Sequence, residues 1–322
     1  MPLRAVCILT LFIVFGCAPA PRAFTHQIGD AKVSGDGDFS FTLESGPFSE
    51  AVPWWNLDLP DGKRASVWLR PGTKGDGAMR WGPWMAAGGV NAGSSSPSAP
   101  PWRIDVDTLV GPADAYEIRV ESEGVVRGGV VGLTASGPQR ETITASCGSR
   151  VEISVPFASQ KTDDPSLAGR LCSPTSVAMV LAYYGEQHGV SEVAAAAHDP
   201  SADIYGNWPM NLQAAYRLSG GKLRAEFRRF SGFAALRDLL ERGTPVVISV
   251  RGSIRGAPYS PTEGHLLVVT GMNARGDLLV NDPAFANAAA GCRCYRWEDL
   301  AVAWLVNAKG TAYVITPREG AP

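Results

Sequence analysis

Between residues 24 and 146 apolar and polar side chains alternate in short runs, at Phe39–Leu43, Ala65–Leu69, Arg103–Leu109 and Tyr116–Val120, each bounded by Gly, Pro or Asp. A period of two sends successive side chains to opposite faces of an extended chain, so these runs predict strands. No amphipathic helix pattern competes with them here. About seven short strands in about 120 residues fit an N-terminal β-sandwich, jelly-roll-like in its organisation. The stretch Ala87–Pro101, rich in Gly, Ser and Pro, has little to bury and is predicted to be an exposed loop.

From Cys147 onward the pattern changes. Ser173–Tyr184 is a continuous helix-compatible apolar run, and Asn211–Leu218 and Gly232–Arg242 also read as helices. Pro245–Val250, Leu266–Thr270, Leu278–Asn281 and Ala312–Ile315 read as strands. Residues 147–322 are therefore expected to form an α+β domain behind the β-domain of residues 24–146. The start of the chain differs from both. Arg4 precedes the apolar run Ala5–Gly16, and small residues and prolines follow, which predicts a signal peptide over residues 1–22 and an exported protein. The run falls short of the about 20 residues that span a bilayer, so no transmembrane helix is expected in the mature chain. Val14-Phe15-Gly16-Cys17 is similar to a lipobox, which would make Cys17 the lipidated terminus of a cell-envelope lipoprotein; cleavage near Ala23 would instead release a secreted protein.

With 45% hydrophobic and 19% charged residues the chain is globular, and 36 Gly with 24 Pro argue against an all-helical fold. The 29 Lys and Arg are nearly balanced by 31 Asp and Glu. No global positive field exists to attract nucleic acid, and membrane contact is expected only through a lipid anchor. Six of the 9 tryptophans, Trp54, Trp55, Trp68, Trp81, Trp84 and Trp102, fall in the β-domain. They fit either core and interdomain packing or a platform that stacks on a cell-surface glycan.

Candidate chemistry centres on Cys172, which directly precedes Ser173-Pro174-Thr175. Proline is tolerated in a first helical turn, so Cys172 is predicted to cap a helix, where unpaired N–H groups and the helix dipole favour thiolate over thiol. The alternative is a small buried residue at the start of a core helix. Of the four histidines, His26 lies in the N-terminal tail, His188 at the far end of the Cys172 helix and His198 in a loop before Asp199-Pro200. His265 follows Gly264 and opens the strand Leu266-Leu267-Val268-Val269, a position that would hold a general base rigidly. Asp282 ends the strand that returns from His265 through the turn Asn273-Ala274-Arg275-Gly276. If those strands pair antiparallel, its carboxylate can fix the imidazole tautomer. Gln160, 12 residues before Cys172, could donate its amide to an oxyanion beside the Cys172 backbone N–H. This chemistry calls for no metal and no cofactor.

The blocks Val155-Pro156-Phe157, Ser159-Gln160 and Cys172-Ser173-Pro174-Thr175-Ser176-Val177-Ala178-Met179, then Tyr205-Gly206-Asn207-Trp208-Pro209, Gly264-His265-Leu266-Leu267-Val268 and Asn281-Asp282-Pro283, resemble the bacterial papain-like cysteine peptidases related to the double-glycine (bacteriocin leader) peptidases. The resemblance covers about residues 152–316. It implies a papain-like fold, Cys172 as nucleophile, His265 as general base and acid, Asp282 as orienting residue, Gln160 as oxyanion donor, and a peptide or protein substrate cleaved through a thioester. The Gln160-to-Cys172 gap is longer than the family's, with Asp163–Arg170 inserted. The leader-peptidase role does not carry over, since those domains belong to transporters acting on cytoplasmic substrates. Two other readings remain: an inactive papain-like surface protein whose Trp-rich β-domain binds glycan or protein, and a transpeptidase-type acyl transferase with the same triad. In an oxidising compartment a disulfide from Cys147 to Cys292 or Cys294, closing a loop of roughly 145 residues, is expected, with a zinc site from the three thiols as the alternative.

Overall fold

The computed structural model describes residues 21–35, 39–259 and 264–318. The expected signal peptide, with Cys7 and Cys17, lies outside the described residues except for Pro21 and Arg22. Nine strands make up the first region: Arg22–Gly35 (β1), Phe39–Asp58 (β2), Ala65–Gly75 (β3), Ala78–Trp81 (β4), Met85–Val90 (β5), Ser98–Ala99 (β6), Trp102–Asp105 (β7), Thr108–Ser122 (β8) and Val126–Thr142 (β9). They form one continuous antiparallel sheet in the order β1-β9-β2-β8-β3-β4, with β5 added to β3, β7 to β8 and β6 to β7. The hydrogen bonding of the described residues thus gives a single sheet where two stacked sheets were expected. It encloses one core, in which Trp55 on β2, Leu69 on β3, Met85 on β5, Ile118 on β8 and Leu133 on β9 are all buried.

The strands are longer than the sequence runs, because interruptions are absorbed as irregularities. β2 passes Gly46 and Pro47 through a register shift between Glu44 and Phe48, the kind of position where a sheet accepts proline. Arg103–Leu109 is not one strand but a hairpin, with Asp105 paired to Thr108 and Val106 turned into the left-handed region at φ 59°. Ala87–Pro101 is not simply an exposed loop either. Its first residues belong to buried β5, and Gly93 packs so tightly on Ser201 that a Cβ there would lie 1.7 Å from the hydroxyl.

The second region is α+β. Its longer helices are Cys172–Tyr183 (α1), Val190–Ala197 (α2), Trp208–Leu218 (α3) and Phe233–Glu241 (α4), with short helical turns at Ala288–Gly291 and Trp297–Leu300, the latter continued as a π-helix over Ala301–Val306. Its strands are Val151–Glu152 (β10), Leu223–Arg229 (β11), Val246–Val250 (β12), His265–Met272 (β13), Leu278–Asn281 (β14), Cys292–Tyr295 (β15) and Thr311–Pro317 (β16). The sheet runs β11-β16-β12-β13-β14-β15, with β10 on β13, and all its pairings are antiparallel. On one face Val177, Val180 and Leu181 of α1 pack with Leu212 of α3 against Val247, Val268 and Tyr313. On the other, Leu236 and Leu240 of α4 and Trp304 meet Ile248, Leu267 and Val314. Among the described residues no helix is long and apolar enough to cross a membrane.

The two regions share a buried junction. Trp54 and Trp55 point to opposite faces of β2, so Trp55 enters the first core while Trp54 joins Val52 and Val130 against α1 and α3. Gly132 on β9 admits the Trp54 ring, which lies 2.0 Å from where a Cβ would stand. Asn56 Nδ2 donates to the Ala225 carbonyl (2.9 Å) while its Oδ1 accepts from the Ala225 N–H (2.8 Å). Gln213 does the same to Leu57, at 2.9 Å in each direction, and Thr134 Oγ1 donates to the Phe227 carbonyl at 2.6 Å. Buried Glu50 accepts from Arg229 and Lys309.

Candidate active site

Cys172 is the first residue of α1, with Leu171 as its cap, one position later than expected. Pro174 follows in the first turn and costs nothing there, because its nitrogen lies where a helix has no internal acceptor. The half-buried thiol is held by its neighbours. Burial pushes its pKa up, but a hydrogen bond and positive charge from the His265 ring, with the N–H groups of Leu266 and Ser173, outweigh this and bring it below the ordinary thiol value.

His265 opens β13, paired with Val250 of β12, so its backbone is fixed by the sheet. Its Nε2 lies 2.8 Å from Asp282 Oδ1, which leaves Nδ1 for the thiol. Burial alone would lower the imidazole pKa; the hydrogen bonds and charges of Asp282 and Cys172 raise it to about 9. The shifts have opposite sign and describe one ion pair, a thiolate facing an imidazolium.

Asp282 is fully buried at the end of β14, as the antiparallel return predicted, with Val268 opposite Asn281. Tyr259 and Tyr295 donate their hydroxyls to Oδ2 at 3.0 and 2.7 Å, and the Ala284 N–H donates to Oδ1 at 3.0 Å. Despite burial, these bonds and His265 hold the carboxyl below its usual range. Tyr259 also lies on the imidazole, with ring centroids 4.3 Å apart. Burial and the Asp282 charge push both phenols up, so they remain donors. They come from β15 and the segment before His265, and nothing local marks them as partners of Asp282.

Gln160 lies on the extended segment before α1, which is stitched to the loop after Asp282. The Gln160 N–H donates to the Pro283 carbonyl at 2.9 Å, Ser159 Oγ to the Phe285 carbonyl at 2.6 Å, and Asn281 Nδ2 to the Val155 carbonyl at 2.9 Å. Its buried side-chain oxygen has no partner. The remaining histidines are engaged elsewhere. His26 is on β1 rather than in a tail, 3.1 Å from Ser136 Oγ, and burial lowers its pKa to about 3. His188 bonds the Leu218 carbonyl, and His198 lies 3.1 Å from Asp203. In the Tyr205–Pro209 block Asn207 caps α3 through the Met210 N–H, and Trp208 stacks on Phe227 at 5.0 Å.

Cys147, Cys172, Cys292 and Cys294 are all free thiols, so the expected disulfide is not formed. Cys147 Sγ donates to the Arg275 carbonyl, Cys292 to Asn281, and Cys294 accepts from Asn273. No group of three metal-ligating side chains gathers among the described residues. On the tryptophan-rich face Arg70 lies 4.9 and 4.6 Å from the Trp81 and Trp84 rings, and Arg119 lies 4.6 Å from Trp84. Guanidinium groups therefore cover ring faces that a sugar would need.

The model of the Peptidase_C39 like family matches residues 152–312. Among solved structures, the double glycine motif protease of an AMS/PCAT transporter, in complex with a leader peptide, is 20% identical with a TM-score of 0.37, covering 52% of this chain and 98% of that one. The peptidase domain of Streptococcus ComA, a bi-functional ABC transporter involved in a quorum-sensing pathway, is 17% identical with a TM-score of 0.38, covering 51% of this chain and 100% of that one. No curated protein matches the chain.

Proposed function

The chain belongs to the Peptidase_C39-like family, a papain-like cysteine peptidase, and from that premise we propose that it hydrolyses a peptide bond through a thioester on Cys172. The observation that carries this reading is the 2.8 Å contact between His265 Nε2 and Asp282 Oδ1, which turns the other ring nitrogen to the thiol. The Cys172 thiolate adds to the scissile carbonyl carbon, and the oxygen takes the negative charge. The Gln160 carboxamide, which has no partner of its own for its buried oxygen, and the Cys172 N–H donate to that oxyanion. His265 then gives its Nδ1 proton to the leaving nitrogen as the C–N bond breaks, leaving an acyl thioester and a free amine. Water adds to the thioester, giving a proton to His265; the C–S bond breaks, the acid is released, and thiolate and imidazolium return. Asp282 stays ionised throughout and orients the ring. The reaction uses no metal.

The working test is modification of the intact protein by a thiol-directed peptidase inhibitor, with peptide mapping. Selective labelling at Cys172 is expected; labelling at Cys147, Cys292 or Cys294 instead, with Cys172 untouched, would overturn the assignment. The apolar run Ala5–Gly16 ahead of Cys17 supports export with a lipid tether. In host fractionation a Cys17→Ser variant is expected to leave the membrane fraction; equal solubility of variant and wild type would refute the tether.

A further inference from the structure

Antiparallel register places four strand ends along one rim of the second sheet. Val250 at the end of β12 is opposite His265 at the start of β13, Ile248 is opposite Ala312 in β16, and Thr311 is opposite Arg229 at the end of β11. From His265 to Arg229 is three strand spacings, about 15 Å, which an extended peptide covers in about four residues. Over this rim lies the β7–β8 hairpin of the first region. Its tip is seated firmly: Asp107 is buried and accepts from the Trp208 N–H at 3.1 Å, at the start of α3. Between hairpin and rim is a cavity of about 370 Å³, with Trp208, Ser249 and Arg251 on the peptidase side and Arg103, Thr108 and Glu50 on the other.

The cavity is basic. Four cations border it, Arg103, Arg229, Arg251 and Lys309, against two carboxylates, Glu50 and Asp105. Glu50 is committed to Arg229 and Lys309, and Asp105 to Arg103 at 3.0 Å. Neither carboxylate is paired with Arg251, whose Nη2 lies 4.0 Å from where a Cβ of Gly264, the residue before His265, would stand. An exposed guanidinium with no carboxylate partner among the described residues, beside the catalytic histidine and in a recess walled by the first region, offers a bidentate site for a planar anion.

We propose that this cavity is a subsite of the active-site groove that takes a carboxylate of the substrate, lying within about four residues of the scissile bond, with Arg251 as its principal partner. The proposal rests on the peptidase reading above. The carboxylate can come from a free chain end or from an acidic side chain. In either case the N-terminal region sets specificity by closing one end of the groove.

The test uses the full chain and three versions of one cleaved peptide: amidated without acidic residues, with a free C-terminal carboxylate, and amidated with one internal glutamate, the last two within four residues of the cleaved bond. Wild type is expected to favour one of the carboxylate peptides over the neutral one by about tenfold in kcat/KM. Preference for the free end identifies a chain terminus, and preference for the glutamate identifies a side chain. Arg251→Gln should collapse that ratio towards one and Arg251→Lys retain part of it, while Arg242→Gln, outside the cavity, should leave it unchanged. Affinities of the three peptides for the Cys172→Ala chain give the same ratio without turnover, so a failed peptidase reading does not hide the result. Equal kcat/KM and equal affinity for all three peptides in wild type would overturn the proposal, as would a ratio that survives Arg251→Gln.

Discussion

The two sheets bury their strands in different ways. In the second region β12 and β13 are buried residue by residue, because helices cover both faces; their sequences, VVISV and HLLVVTGM, are almost wholly apolar. In the first region β3 and β8 bury alternate positions, and their outer face carries half-buried tryptophans under Arg70 and Arg119. At β2 and β9 the first sheet resembles the second, since Ala51–Leu57 and Val130–Gly137 are buried throughout, between their own core and the second region. A doubly covered sheet leaves its strand ends as the places where polar groups can work, and that is where His265 and Asp282 stand, facing Cys172 at the start of α1. A singly covered sheet has a free face for packing against something else.

If that division is right, substitutions in the second sheet's rim should remove chemistry, and those in the first sheet should act through stability. Cys172→Ala is expected to lower kcat by at least about 10⁴-fold with an unchanged melting profile, and His265→Ala nearly as much. Asp282→Asn should be milder, since the carboxylate orients the ring without entering a bond. Turnover by Cys172→Ala at the wild-type rate would break the comparison at its root. Trp54→Ala should destabilise by about 3–5 kcal/mol in denaturant unfolding, because it empties a site buried on both sides of the junction. Trp84→Ala, on the open face, should cost about 1 kcal/mol or less; equal costs would mean the outer face is covered too.

The smallest effect sharpens the picture of the site. The ion pair is intact above the lowered thiol pKa and is lost as His265 gives up its proton near pH 9. Peptide turnover, which needs the imidazolium as general acid, should therefore fall along an alkaline limb near pH 9. Tyr295→Phe removes a donor from Asp282, which makes the carboxylate more basic and a stronger acceptor for the imidazolium proton. His265 then keeps its proton to higher pH, so the alkaline limb should move upward by less than about one unit. A shift to lower pH would contradict the role given to Tyr295.

How much could be read from sequence follows the same division. Helices α1, α3 and α4 and strands β12, β13, β14 and β16 lie within a few residues of the predicted runs, because strong apolar runs bounded by Gly or Pro admit few alternatives. Helix α2, VSEVAAAA, is missed because alanine carries little periodic contrast, and β11, LRAEFRR, because its polar face dominates. In the first region Gly and Pro signal turns that the structure absorbs inside long strands, so the single sheet is not legible. In the site, Cys172 and His265 are marked by their neighbours in sequence, Pro174 and the β13 run. Tyr259, Tyr295 and Asp107 act across the fold on groups far away in the chain, where no local pattern could reveal them.

Strand β11 lies at the end of its sheet, hydrogen-bonded to β16 on one side only. On the other side its outward main-chain groups meet side chains of the first region: Asn56 satisfies both groups of Ala225, and Thr134 the carbonyl of Phe227. Asparagine and threonine there do the work of a neighbouring strand without being one. An open strand margin is a template on which another chain can polymerise. A fragment beginning near residue 147 is therefore expected to self-associate, by concentration-dependent light scattering, where the full chain does not. The N-terminal region, on this view, acts as a built-in chaperone for the margin of its partner's sheet.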